Sequence, residues 1–172
     1  MTNETLQTIH SRRSCRAYKP QQITDAELDA VLEAGSLAPT ACNLQPQRIY
    51  ILQSDAALSA IRGITPCAFN APVVLLVCGD TGESWNNPYS GHDAAEMDAT
   101  IAATHMMLKA AELGLGTTWV CFFDPAKVKE AFSLPQGVEP YCLLPLGYPA
   151  DTACPSEQHG SRKPLSQTVF YK

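Results

Sequence analysis

The feature that most constrains this chain is residues 72–78, PVVLLVC. An unbroken, valine-rich apolar run of this length reads as a strand with no polar face, so other elements must cover it on both sides. The flanking sequence supplies covers. Thr24 and Glu27 form a Thr-x-x-Glu capping box with Ile23 and Leu28 placed as a hydrophobic staple, and Leu28, Val31, Leu32 and Gly35 recur at helical spacing until Pro39. Residues 93–113 are strong helix formers without Pro or Gly, and their many alanines would let another helix approach closely. This segment is the candidate for a central, dimer-forming helix. Leu6 and Ile9 mark a short amphipathic helix, residues 56–62 another, and Asp124 with Pro125 caps and opens a last one reaching Phe132. Residues 48–53, 117–122 and 141–146 read as further strands. Strands and helices alternate only partly, so an α+β fold is expected, a mixed central sheet flanked by helices. At 172 residues and 45% hydrophobic content, one domain spanning 1–172 suffices.

Charge and cysteine content exclude several classes. The formal net charge of −5 disfavours nucleic acid and membrane surfaces as partners, which reward a basic face. Neither the stretch from Met1 to Ser11 nor any later segment is a long apolar run, so no signal peptide or membrane span is expected and the location is read as cytoplasmic. The 7 cysteines are odd in number, scattered and without a Cys-x-x-Cys pair, which fits neither a disulfide framework nor a zinc ribbon; most read as small core hydrophobes. His10, His92, His105 and His159 do not stand at metal-ligand spacing, so no metal is expected. Gly114-Leu-Gly116 has the look of a dinucleotide turn, but it follows a helix and precedes a strand, and Trp119 stands where a third glycine belongs. Gly114 is better read as the residue that ends a helix.

Two segments carry chemistry. Residues 11–18, SRRSCRAY, bring three guanidinium groups and hydroxyls together as a short stretch leaves a helix. Alone this could be a solvated charge run, but Arg162 and Lys163 lie near the other end, and if the termini meet they make one anion site in an acidic protein. Residues 38–46, APTACNLQP, form a proline-bounded run presenting Thr40, Asn43 and Gln45 as neutral hydrogen-bonding groups. The pair suits a ligand with a phosphate at one end and a planar heterocycle at the other, as in FMN.

With RRSCRAY, APTACNLQP, NAPVVLLV, ELGLGTTWV, DPAKVKEAF, LPLGYP and the C-terminal RKPL in this order, the chain resembles the nitroreductase family of FMN-dependent oxidoreductases over nearly its whole length. The resemblance implies an interlocked homodimer that wraps each C-terminal tail around the partner, with FMN bound where the subunits meet. It implies that Arg12 and Ser14 hold the phosphate and ribityl chain, with Arg13 assisting and Arg162 or Lys163 closing on the phosphate. Arg16 would stand beside the N1 and O2 edge of the ring as an electrostatic stabiliser. Pro39, Thr40, Asn43 and Gln45 would come from the opposite subunit, the backbone of Cys121 and Phe122 would face N5 and O4, and Asn70 would meet the pyrimidine edge. The implied activity is ping-pong hydride transfer through flavin N5 from NADH or NADPH to a small electron acceptor such as a nitroaromatic or quinone, with no catalytic side chain. Flavin storage without turnover, flavin fragmentation and dehalogenation are the alternatives. The family often has an aromatic residue after Gln-Pro and a glycine near Trp-Val-x-Phe, where this chain has Gln47 and the Cys121-Phe122 pair.

Overall fold

A computed structural model describes the chain from Glu4 to Lys172; residues 1–3, the start of the stretch read against a signal peptide, lie outside the described residues. The elements run α1 (Glu4–Ser11), α2 (Asp25–Ser36), β1 (Gln47–Leu52), α3 (Asp55–Ile64), β2 (Val73–Asp80), α4 (Ala95–Glu112), β3 (Gly116–Thr117), α5 (Pro125–Ala131) and β4 (Val138–Gly147). The strands pair in the order β1-β2-β4-β3. All three pairings are antiparallel, so the α+β arrangement expected is present with an antiparallel sheet in place of a mixed one, and the parallel contact between Ser14 and Thr117 is an isolated bridge at its edge. Among the described residues no helix is long and apolar enough to cross a membrane.

β2 is covered on both faces, as its composition demands. Val73, Leu75 and Val77 pack into one cluster with α2 and α4, through Leu28, Val31, Ala99, Ala103 and Met106. Val74, Leu76 and Cys78 pack into another with α3 and α5, through Leu58, Ile61 and Val128. This alternation along one strand is the period-2 signature of a sheet sandwiched between helices. The capping box forms: Thr24 accepts from the Glu27 N–H and Glu27 accepts from the Thr24 N–H at 2.8 Å. The staple residues Ile23 and Leu28 are both buried in the same cluster.

Two expectations need correction. The strand expected over 117–122 is interrupted: Gly116 and Thr117 pair with Gly147 and Leu146, and Val120 pairs with Leu143 in the same register. Between them Thr118 falls opposite Pro145, which has no N–H to donate, so the ladder breaks there. The Pro145 carbonyl instead accepts from the Tyr18 hydroxyl at 3.1 Å. The cysteines are also less buried than expected. Cys15, Cys78 and Cys142 are buried, but Cys42, Cys121 and Cys154 are exposed and Cys67 is intermediate.

Candidate functional site

The arginine segment is laid along the β3 end of the sheet. Cys15 N–H donates to the Thr117 carbonyl at 2.8 Å, Lys19 N–H to Tyr148 at 2.9 Å, and Ala150 N–H to Ala17 at 2.9 Å. Its approach depends on Gly116, where a Cβ would stand 2.6 Å from the Cys15 Cβ. Gly114, at φ +76°, ends α4 as expected and turns the chain into that edge. The Tyr18 hydroxyl, which also donates to Cys15 O, has its pKa pushed well above the ordinary tyrosine value, chiefly by burial.

This edge and the tail enclose a cavity of about 200 Å³ lined by Arg12, Ser14, Arg16, Ser156, Gln158, His159 and Arg162. No carboxylate lines it, and among the described residues none of Arg12, Arg16 or Arg162 takes part in an ion pair. Like cations brought together without an acid repel one another, which is tolerable beside water and favourable around an anion. The donor set therefore fits a phosphate, and the guanidinium forks match its oxygens. The two chain ends thus meet. Arg13 turns away: its Nη1 donates to the Ala153 carbonyl at 2.7 Å and fastens the edge to the segment after β4. Lys163 is exposed and outside this cavity. Ser156, Gln158 and His159 had no signal beyond lying just before Arg162.

A second, largely apolar cavity of about 540 Å³ shares Arg12 and Ser14 with the first and is otherwise lined by Ile9, Thr104, Met107, Leu108 and Trp119. A charged cavity beside an apolar one, with Arg12 and Ser14 lining both, suits a ligand with an anionic end and a flat apolar body. Beyond Trp119 the chain reaches Cys121 and Phe122, both exposed. The Trp119 Nε1–H donates to the Cys121 Sγ at 3.0 Å, and among the described residues neither the Cys121 nor the Phe122 backbone N–H is donated. Thr65 holds the Phe122 carbonyl through its hydroxyl, and Asn70 sits exposed on the same 65–71 connection with φ 53°.

The polar loop lies elsewhere on the chain. Thr40 Oγ1 accepts from the Gln45 N–H at 3.1 Å, Gln45 Nε2 donates to the Asn43 carbonyl at 3.1 Å, and Pro39, Asn43 and Gln45 are exposed. Its anchor is the first turn of α4, where Asp98 accepts from the Ala41 N–H. The cavity holding Arg12 meets the same helix at Thr104, Met107 and Leu108. From Asp98 to Leu108 a straight helix advances about 15 Å. Within one chain, then, the polar loop meets α4 at its first turn and the arginine-bearing cavity meets it from the middle towards the carboxyl end.

The model of the nitroreductase family matches residues 9–65 and 60–148, and the chain belongs to that family. A nitroreductase family protein from Clostridium difficile 630 is 36% identical, with a TM-score of 0.91 over 97% of each chain. An NADH dehydrogenase of Thermus thermophilus is 28% identical over 94% of this chain and 92% of its own length. An FMN reductase [NAD(P)H] of Bacillus subtilis is 29% identical over 87% of this chain and 67% of its own length.

Proposed function

We propose that this protein is an FMN-dependent NAD(P)H oxidoreductase reducing small electrophilic acceptors, nitroaromatics and quinones among them, with donor and acceptor using the same site in turn. The observation that carries the reading is the carboxylate-free cavity in which, among the described residues, Arg12, Arg16 and Arg162 stand without ion-pair partners, next to an apolar cavity that shares Arg12 and Ser14 as lining. FMN, when bound, would supply the redox chemistry between the nicotinamide and the acceptor. The protein positions it. Arg12, Ser14 and Arg162 would hold the phosphate and ribityl chain, Arg16 would provide a permanent positive charge where negative charge grows on reduction, and the N–H groups of Cys121 and Phe122, undonated among the described residues, would be available to the ring's acceptor edge.

The polar loop reaches this site from a second copy. Met97, Ile101, Thr104 and Leu108 form an incompletely buried stripe at helical spacing on α4, beside the exposed Leu6 and Ile9 of α1. Two chains related by a two-fold axis that passes the middle of this stripe at right angles to α4 lie with their α4 helices antiparallel, which carries the Asp98 end of each towards the Leu108 end of the other. Thr40, Asn43 and Gln45 of one protomer then face the cavity of its partner. The exposed tail residues Leu165, Val169, Phe170 and Tyr171 gain cover from the same partner.

The purified protein is tested for a visible flavin spectrum, heat-released flavin is identified, and NADH with a nitroarene is added. The reading predicts FMN and repeated turnover. A protein that holds FMN but bleaches slowly with NADH is a store, and one that takes up no FMN is neither.

A further inference from the structure

The polar loop holds Cys42 and Gln45 in a conformation that those residue types avoid, with the more tolerant Asn43 between them. Cys42, Asn43 and Gln45 have φ of 53°, 55° and 53°, in the left-handed region where a Cβ crowds the backbone. Such a geometry persists when its surroundings over-determine it. Two side chains from outside grip its ends. At the amino end Asp98 Oδ1 accepts from the Ala41 N–H at 3.0 Å, from a residue only 3% exposed. At the carboxyl end Arg48 Nη1 donates to the carbonyls of Gln45 at 3.2 Å and Gln47 at 3.1 Å, while its Nη2 pairs with Glu83 and lies 3.7 Å from Asp80. The other Asp98 oxygen, Oδ2, is buried with no hydrogen-bond partner among the described residues. A half-satisfied buried carboxylate is a poor device for stability. What it supplies is a fixed acceptor under Ala41.

We propose that Asp98 and Arg48 are positioning residues that brace this loop, so that Thr40, Asn43 and Gln45 meet the flavin ring already in place. The brace rests on the FMN reading above. Neither residue needs to touch FMN; each lowers the ordering that binding would otherwise require. Arg48 also ties the loop to residues 80–83, the start of the connection to α4.

The test titrates FMN and riboflavin into apoprotein of the wild type, Arg48→Met, Asp98→Ala and Asp98→Asn, with inorganic phosphate as a competitor of FMN. The Arg48 side chain is 33% exposed, so its removal empties no core position and keeps the test alive if Asp98→Ala does not fold. Arg48→Met and Asp98→Ala are expected to weaken both flavins by the same factor, about tenfold, because the braced groups contact the ring and not the phosphate. Competition by phosphate should not change. Asp98→Asn keeps an oxygen for the Ala41 N–H and should recover most of the affinity. Arg48→Met combined with Gln45→Ala should cost less than the two separate losses multiplied, since both act through one loop. Wild-type affinity in Arg48→Met, a fully multiplicative double variant, or Asp98→Asn as weak as Asp98→Ala would each overturn the brace. A wild type that takes up no FMN removes the underlying reading and the brace together, and is distinguished by appearing before any variant is compared.

Discussion

The arginine edge and the polar loop are both short, irregular segments, yet they are fixed in opposite ways. The edge is held by main chain: Cys15, Lys19 and Ala17 exchange hydrogen bonds with Thr117, Tyr148 and Ala150, far away in sequence. The loop is held by side chains of Asp98 and Arg48 against a backbone with three left-handed residues. A segment built into a sheet edge cannot be re-aimed without breaking the ladder, and that suits charges that must converge. A loop held by two side chains can be loosened while the core stays intact. The first should respond to substitution as part of the fold, the second as part of a binding site.

Arg16→Ala should have the largest effect, slowing reduction of bound flavin by NADH by about a hundredfold in stopped flow, the scale seen when one preorganised charge or donor at a reacting centre is lost. FMN should still bind through Arg12 and Arg162, so a wild-type reduction rate would deny Arg16 its role. Gly116→Ala attacks the docking of the edge directly, because the added carbon would lie 2.6 Å from the Cys15 Cβ. Denaturant unfolding should show a loss of about 1–3 kcal/mol, the usual cost of overpacking. The loop should behave in reverse. Cys42→Gly relieves a left-handed residue at an exposed position, so the gain from relaxed backbone and the loss from a freer unfolded chain nearly cancel, and stability should change by less than about 1 kcal/mol. A loss as large as that of Gly116→Ala would erase the contrast.

The smallest effect concerns a support of the edge. Tyr148, whose carbonyl accepts from Lys19, donates its hydroxyl to Glu27 at 2.7 Å. The Glu27 carboxyl is held below its ordinary value of 4.5, first by the Thr24 hydroxyl, then by the Thr24 N–H and the Tyr148 hydroxyl. A carboxylate with a depressed folded-state pKa stabilises above its unfolded value, and that contribution disappears as pH falls through the folded one. The stability difference between the wild type and Glu27→Gln should therefore be larger at pH 7 than at pH 3. A difference independent of pH would mean that the charge of Glu27 contributes nothing.

Much of the fold could be read from local pattern. The Thr24–Glu27 box, the Asp124 cap and the two-sided burial of β2 depend on residues close in sequence, where spacing alone states the geometry. The gap in the TTWVCF strand depends on Pro145, a partner known only once the register is known. The arginine convergence was legible because residue type announced it. The contributions of Ser156, Gln158 and His159 were not, since small polar residues in a proline-marked tail look like any linker. Arg13 shows the same limit from the other side: equal in type to its neighbours, it is directed by one carbonyl to a structural task. Asp98 and Arg48 escaped notice because an acid in the first turn of a helix and a cation on an edge strand have ordinary explanations until the loop beside them is seen.

The central claim is that one protomer's arginine edge and the other protomer's polar loop make each site. It is tested by refolding an equimolar mixture of Arg12→Ala/Arg16→Ala chains with Asn43→Ala/Gln45→Ala chains, at an FMN concentration that fills wild-type sites and neither variant's. Shared sites predict that about a quarter of the sites regain FMN on statistical pairing, because each mixed dimer holds one intact site and one doubly broken site. Binding no greater than that of the two variants measured separately would contradict it.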